Sequence, residues 1–163
     1  TDITRTKSME DKLITEAVRD PVTGLPSRAL YLDRLEREVS KPLGLPVQVL
    51  MVGLERFKML NDGLGHDLGD QLLLVAGQRI AECLSPEETL ARVSGSQFAV
   101  MFVEMIDGPD ARGLADALMG ALSQPVNIGQ QDVYLSASIG ISRSSSDGHS
   151  AEELQRQARI GRV

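Results

Sequence analysis

The sequence has few of the residues that form metal clusters or covalent cross-links, with one cysteine and two histidines among its 163 residues. Cys83 has no partner for an internal disulfide, and its position in a helical pattern predicts a small core residue. His66 and His149 are far apart in the chain, which argues against a zinc site. No apolar run reaches membrane-spanning length and no signal-peptide pattern is visible, so the sequence predicts a cytoplasmic domain without a membrane segment.

An excess of positive charge is also lacking. Lysine and arginine number 17 against 23 aspartates and glutamates, for a net charge of −6. Nucleic acid is therefore not an expected partner. The chain is 42% hydrophobic and 25% charged, which at this length predicts one globular domain with a full core.

The chain is organised around residues 50–70, which read LMVGLERFKMLNDGLGHDLGD. Residues 47–54 are apolar apart from one glutamine and one glycine, as in a strand buried on both faces. Phe57, Leu60 and Leu64 then recur at helical spacing. This spacing predicts a short helix packed against the strand.

Two polar residues occupy the second half of this stretch. Turn residues at 61–63 and 65–66 interrupt the apolar pattern, and a second helix is predicted over residues 70–84. A strand, a short helix, a polar turn and a long helix place Asn61 and Asp70 at one edge of a sheet. In open sheets with helical crossovers, ligands gather at such edges.

The rest of the pattern predicts further helices and strands. Ser27 is the expected N-cap of a helix that runs to Val39. The other predicted elements are strands over 89–93 and 98–103 joined as a hairpin, a helix over 110–122, and strands over 125–128 and 133–141.

Residues 1–19 are predicted to form a separate signalling or linker helix, ahead of a domain over residues 20–163. Met9, Leu13 and Ala17 form a narrow apolar stripe on an otherwise charged helix. Such a helix rarely stands alone. It either packs on the domain or pairs with a second copy in a coiled coil, which would make the protein a homodimer.

Four segments, in order, resemble motifs of the GGDEF domain, the diguanylate cyclase family. Residues 20–28 (DPVTGLPSR) resemble D-x-L-T-G-L-x-N-R, and residues 53–62 (GLERFKMLND) resemble D-x-D-x-F-K-x-x-N-D. Residues 65–70 (GHDLGD) match G-H-x-x-G-D, and residues 135–141 (LSASIGI) resemble V-T-x-S-I-G-I. The resemblance implies an α/β fold of the nucleotidyl-cyclase palm type: a five-stranded, mostly antiparallel central sheet surrounded by helices, plus a small peripheral hairpin.

The motif after which the family is named is altered. Its five positions hold Ser94, Gly95, Ser96, Gln97 and Phe98. The resemblance implies that active relatives join two GTP molecules, one held by each of two facing domains, into cyclic diguanylate (cyclic di-GMP). It also implies that magnesium, held by two carboxylates, neutralises the triphosphate and helps activate the attacking hydroxyl.

Both of those carboxylates are replaced in this chain. Gly53 stands at the first position and Ser96 at the second, while the amide of Gln97 replaces the next acidic residue. Glu55 shares the face of Gly53 by the two-residue period of a strand. The sequence therefore predicts no catalytic residue, and no cofactor unless Glu55 substitutes as a magnesium ligand.

The residues for base recognition are retained. By the resemblance, Asn61 and Asp70 match the pair that reads the guanine edge, and Lys58 matches a lysine near the phosphates. An amide and a carboxylate together can address the carbonyl, imino and amino groups of guanine. The alternative is that Asn61 and Asp70 only cap helices and stabilise turns.

Two further phosphate contacts of the family are altered. Its R-x-x-D feedback site, which binds cyclic di-GMP, aligns with Ser85 and Glu88, so product binding is not expected there. The last family helix carries a lysine and an arginine that hold the triphosphate. Here residues 158–163 read ARIGRV, which is either a truncated or a shortened form of that end.

These observations favour a catalytically inactive GGDEF domain. We expect it to be a regulatory or interaction module in a bacterial signalling protein, with GTP as a ligand that controls a neighbouring EAL-type phosphodiesterase domain. Residues 2–10 resemble the exit from a PAS sensor domain, which would be the neighbour on the other side. The alternative is an active diguanylate cyclase with unusual metal ligands.

Overall fold

The structure, a computed structural model, describes residues 19–41, 45–105, 108 and 110–144. The predicted N-terminal helix and residues 158–163 lie outside this range. None of the helices in the described part of the chain is long and apolar enough to cross a membrane.

Four helices and six strands make up this part of the chain. The helices are α1 (Arg28–Val39), α2 (Phe57–Leu64), α3 (His66–Glu82) and α4 (Ala111–Leu122). The strands are β1 (Val47–Glu55), β2 (Thr89–Ser94), β3 (Gln97–Val103), β4 (Val126–Ile128), β5 (Gln131–Val133) and β6 (Ser136–Arg143).

The central sheet has the strand order β2-β3-β1-β6, with every neighbouring pair antiparallel. The predicted α/β fold, with an antiparallel central sheet and a small hairpin, is confirmed. The described residues give the sheet four strands, one fewer than predicted, because the strand expected over residues 125–128 pairs with β5 in the separate hairpin. The strand expected over residues 133–141 is interrupted at Tyr134 and Leu135. Its first part pairs with β4 in the separate hairpin, and its second part pairs with β1.

The two faces of the sheet carry two apolar clusters. Leu50, Val52 and Leu54 of β1 pack with residues of α3 and α4 on one face. Val49 and Met51 point the other way and pack with residues of α1. Strand β1 is thus covered by helices on both faces, which explains its nearly continuous apolar sequence.

The helix ends follow local capping chemistry. The predicted N-cap is confirmed, because the hydroxyl of Ser27 accepts a hydrogen bond from the backbone N–H of Leu30. Helix α3 begins at His66, four residues earlier than predicted, and Gly65 alone separates it from α2. Gly65 has a φ of 94°, a conformation that glycine adopts without steric cost.

Cys83 follows directly after α3 and is half-buried against the larger apolar cluster. Burial and, to a smaller extent, the nearby charge of Glu82 raise the pKa of its thiol. A thiol with a raised pKa is a poor nucleophile. Cys83 was predicted to be a small core residue, and it packs at the edge of the core instead.

Candidate functional site

The turn between β2 and β3 lies beside the end of β1. Gly53 is paired with Gln97 on one side and with Ser138 on the other. The backbone N–H of Leu54 donates to the carbonyl of Ser96 at 2.9 Å, which fixes the turn against β1. Antiparallel pairing therefore brings together positions 53 and 96, which the resemblance to the cyclase family matches to its two metal carboxylates.

Neither of these two positions carries a charged side chain. Gly53 has no side chain, and Ser96 carries a hydroxyl. The hydroxyl of Ser94 donates to the side-chain oxygen of Gln97 at 2.7 Å, which links the two ends of the turn. The side-chain oxygen of Gln97 is therefore engaged in a hydrogen bond within the turn.

Glu55 is the carboxylate of β1 nearest to this corner. The hydroxyl of Ser138 donates to Glu55 Oε1 at 2.6 Å, and the same hydroxyl would lie 3.6 Å from a Cβ atom added at Gly53. Glu55 and Gly53 therefore share one face of β1, as predicted.

The residues at this corner do not fit a magnesium site of the family type. Magnesium prefers several hard oxygen ligands in octahedral geometry, whereas the corner offers the single carboxylate of Glu55, already hydrogen-bonded to Ser138. Among residues 19–41, 45–105, 108 and 110–144, no three histidine, cysteine, aspartate or glutamate side chains are grouped in a way that could hold a metal ion.

A second polar group forms where α2 meets α3. Asn61 Nδ2 lies 3.2 Å from His66 Nδ1. A Cβ atom added at Gly69 would lie only 1.9 Å from Asn61 Oδ1, so the amide occupies space that any other residue at position 69 would fill. Asp70 follows Gly69 in α3 and is exposed. The structure thus brings the segments that carry Asn61 and Asp70 to one corner.

Lys58 is exposed on the first turn of α2. It precedes Asn61 by three residues in the same helix, and residues at this spacing are neighbours on a helix surface. The three predicted nucleotide-binding residues therefore come from two adjoining helices. Sequence reasoning missed His66 and Gly69 as partners of Asn61, although their fixed spacing within the G-H-x-x-G-D segment was visible.

Ser85 and Glu88 form a local turn of their own. The backbone N–H of Ser85 donates to Glu88 Oε2 at 2.8 Å, and the Ser85 hydroxyl donates to the same oxygen. The carboxylate of Glu88 therefore already accepts two hydrogen bonds from Ser85, within the same turn.

An ion pair joins the segment before α1 (residues 20–27) to strand β2. Arg92 Nη1 lies 3.0 Å from Asp20 Oδ1, and Arg92 Nη2 donates to the carbonyl of Gly95 at 2.8 Å. Both charged side chains are largely buried, with exposed fractions of 17% for Arg92 and 13% for Asp20. A cleft of about 460 Å³ lies between these segments. Sequence reasoning did not identify Arg92, because its partner is distant in the chain.

Burial by itself would raise the pKa of the Asp20 carboxyl. Hydrogen bonds from the hydroxyl and the backbone N–H of Thr23, together with the charge and hydrogen bonds of Arg92, outweigh that effect. The net result is an Asp20 pKa below its usual value.

Comparisons with known proteins identify what the chain is similar to. A family model described as "Diguanylate cyclase, GGDEF domain" matches residues 17–161. The chain is 39% identical over 145 residues to the bifunctional diguanylate cyclase/cyclic di-GMP phosphodiesterase MucR of Pseudomonas aeruginosa, covering 88% of this chain and 21% of MucR. It is 32% identical over 158 residues to the cyclic di-GMP phosphodiesterase PdeR of Escherichia coli, covering 97% of this chain and 24% of PdeR.

A solved structure of the isolated GGDEF domain of TpbB (YfiN) from Pseudomonas aeruginosa matches with a TM-score of 0.80 and 30% identity. That match covers 88% of this chain and 85% of the solved chain. The chain therefore spans nearly all of an isolated domain, but a quarter or less of MucR and PdeR.

Proposed function

The chain belongs to the GGDEF domain family of cyclic di-GMP signalling proteins, and on that premise we propose that it is a regulatory or interaction module that does not itself make cyclic di-GMP. One observation carries the proposal. Strand pairing brings positions 53 and 96 together, and they hold a glycine and a serine where the family places two carboxylates. With Glu55 as its single carboxylate, already hydrogen-bonded to Ser138, the corner has little affinity for magnesium.

The proposed partner is an EAL-type phosphodiesterase domain in the same protein, with a PAS-like sensor on the other side. The names of MucR and PdeR support the phosphodiesterase part of this proposal, because both include a cyclic di-GMP phosphodiesterase and both proteins are far longer than this chain. The test is cyclic di-GMP hydrolysis by the whole protein with and without GTP. A rate that is independent of GTP would reject control by nucleotide.

We predict weak guanine-nucleotide binding that is largely independent of magnesium. The support is the corner that carries Asn61, Asp70 and Lys58. A site that hydrogen-bonds a guanine edge discriminates strongly against adenine, so GTP should bind better than ATP. Each lost charged contact costs roughly 1.5–3 kcal/mol, so the loss of two weakens GTP binding by about two to four powers of ten relative to an intact site.

Calorimetry with GTP, GDP and ATP, with and without magnesium, checks this prediction. Asp70→Ala should abolish the preference for guanine, whereas Asp67→Ala, which removes another exposed carboxylate of α3, should not. Tight binding that requires magnesium would contradict the prediction and would make Glu55 the first residue to test as a ligand. No binding at millimolar nucleotide would leave Asn61 and Asp70 as structural caps.

We also predict no cyclic di-GMP binding at the turn that carries Ser85 and Glu88. Phosphate recognition there would need a guanidinium, and Glu88 is already hydrogen-bonded to Ser85. Calorimetry should give no heat of binding, and Ser85→Arg combined with Glu88→Asp should create measurable affinity. Micromolar binding by the unmodified chain that Ser85→Ala removes would contradict this expectation.

A further inference from the structure

The side-chain amide of Asn61 is held from two sides. Its nitrogen faces His66 Nδ1 at 3.2 Å. Its oxygen lies so close to Gly69 that it would overlap a Cβ atom at that position. An amide nitrogen donates but does not accept, so in this arrangement His66 Nδ1 serves as the acceptor.

The two contacts restrict the amide from both ends. The hydrogen bond to His66 Nδ1 holds its nitrogen, and its oxygen fills the space beside Gly69. The position of the amide decides where Asn61 presents its remaining donor and acceptor capacity to a bound base.

We propose that His66 and Gly69 are positioning residues, which fix the amide of Asn61 and thereby set the preference of the nucleotide site for guanine over adenine. This inference rests on the proposed nucleotide binding. His66 acts through a hydrogen bond, and Gly69 acts by leaving the space that the amide fills.

Gly69→Ala is a direct steric test. The added methyl would overlap Asn61 Oδ1 and push the amide away, while alanine is favourable within a helix. The matched control is Gly63→Ala in α2, two residues after Asn61, where an added Cβ meets nothing within 4 Å. Thermal melts should show both variants folded, so that a difference in binding between them reflects displacement of the Asn61 amide.

The decisive experiment measures GTP and ATP binding to the unmodified chain and four variants. His66→Ala should reduce the preference for GTP roughly three- to tenfold, as expected for one hydrogen bond. His66→Asn, which keeps an acceptor near the Nδ1 position, should restore most of it. Gly69→Ala should lower the preference at least tenfold, and Gly63→Ala should leave it unchanged.

Nitrogen NMR of the nucleotide-free chain supplies a readout independent of affinity. The side-chain NH₂ signals of Asn61, assigned by their loss in Asn61→Asp, should shift in His66→Ala and Gly69→Ala but not in Gly63→Ala. If the unmodified chain prefers GTP and the His66 and Gly69 variants keep that preference, the positioning inference is overturned and the proposed binding stands. If the unmodified chain binds no GTP at millimolar concentration, the proposed binding fails, and the specificity inference fails with it.

Discussion

Held as a dimer by fusion to an unrelated coiled coil and supplied with magnesium, the domain is expected to convert GTP into cyclic di-GMP at less than about a thousandth of the rate of an active GGDEF domain. Magnesium supplies several kcal/mol of charge stabilisation in phosphoryl chemistry, and each 1.36 kcal/mol changes a rate about tenfold. Gly53, near the end of β1, and Ser96, in the adjoining β2–β3 turn, supply no carboxylate that could hold the ion. Product formation followed by chromatography, beside an active domain in the same fusion, provides the measurement.

Restoring the carboxylates tests the cause of the expected inactivity. A Cβ atom at position 53 would lie 3.6 Å from the Ser138 hydroxyl, an ordinary contact, so Gly53→Asp has room for its first side-chain atom. Combined with Ser96→Asp and Gln97→Glu, it should make GTP binding magnesium-dependent. If the unmodified domain makes cyclic di-GMP nearly as fast as the active control, the expected inactivity is refuted. Loss of that activity in Glu55→Gln would then identify Glu55 as the magnesium ligand.

Asp20→Ala is expected to lower the free energy of unfolding by about 2–4 kcal/mol. The carboxylate accepts hydrogen bonds from the backbone N–H of Thr23 at 2.8 Å and from its hydroxyl at 2.7 Å, and it pairs with Arg92. Its removal leaves a largely buried guanidinium without its ion pair. Urea denaturation of the same chain measures the change.

Asp33→Ala is the matched control, because it breaks the exposed ion pair with Arg37 in α1. Exposed pairs contribute about 0–1 kcal/mol, so this variant should unfold close to the unmodified chain. A loss in Asp20→Ala no larger than that of Asp33→Ala would show that the Asp20–Arg92 pair contributes little to stability.

The lowered pKa of Asp20 predicts the direction in which stability changes with pH. The pKa of Asp20 in the folded chain lies below its ordinary value of 3.8. Its contribution is therefore fully present above that value and is lost as the pH falls through the folded pKa. Asp20→Asn should flatten the decline in stability below about pH 4. An unchanged decline would assign the acid sensitivity to other carboxylates.

Local patterns in the sequence were enough to predict much of the fold. The apolar run of β1, the hairpin of β2 and β3 and the cap at Ser27 each depend on neighbouring residues, and each is found. The start of α3 was misplaced because Asp62 and Gly63 have the chemistry of a turn, yet they lie within α2. Propensity is a weak guide where tertiary packing decides.

The candidate site could be predicted only in part. Asn61 and Asp70 were visible through the family motifs, but which atoms hold Asn61 depends on how two helices meet at Gly65. Arg92 and Asp20 are 72 residues apart in the chain. Periodicity carries no information about such a pair, because folding of the whole sheet brings the two segments together.

The double contact of Arg92 has a mechanical consequence. One guanidinium bonds the carboxylate of Asp20, at the start of the domain, and the carbonyl of Gly95, at the tip of the β2–β3 turn. A single rigid, planar group therefore couples the position of Asp20 to that of the turn tip. Along the backbone, by contrast, Asp20 and Arg92 are 72 residues apart.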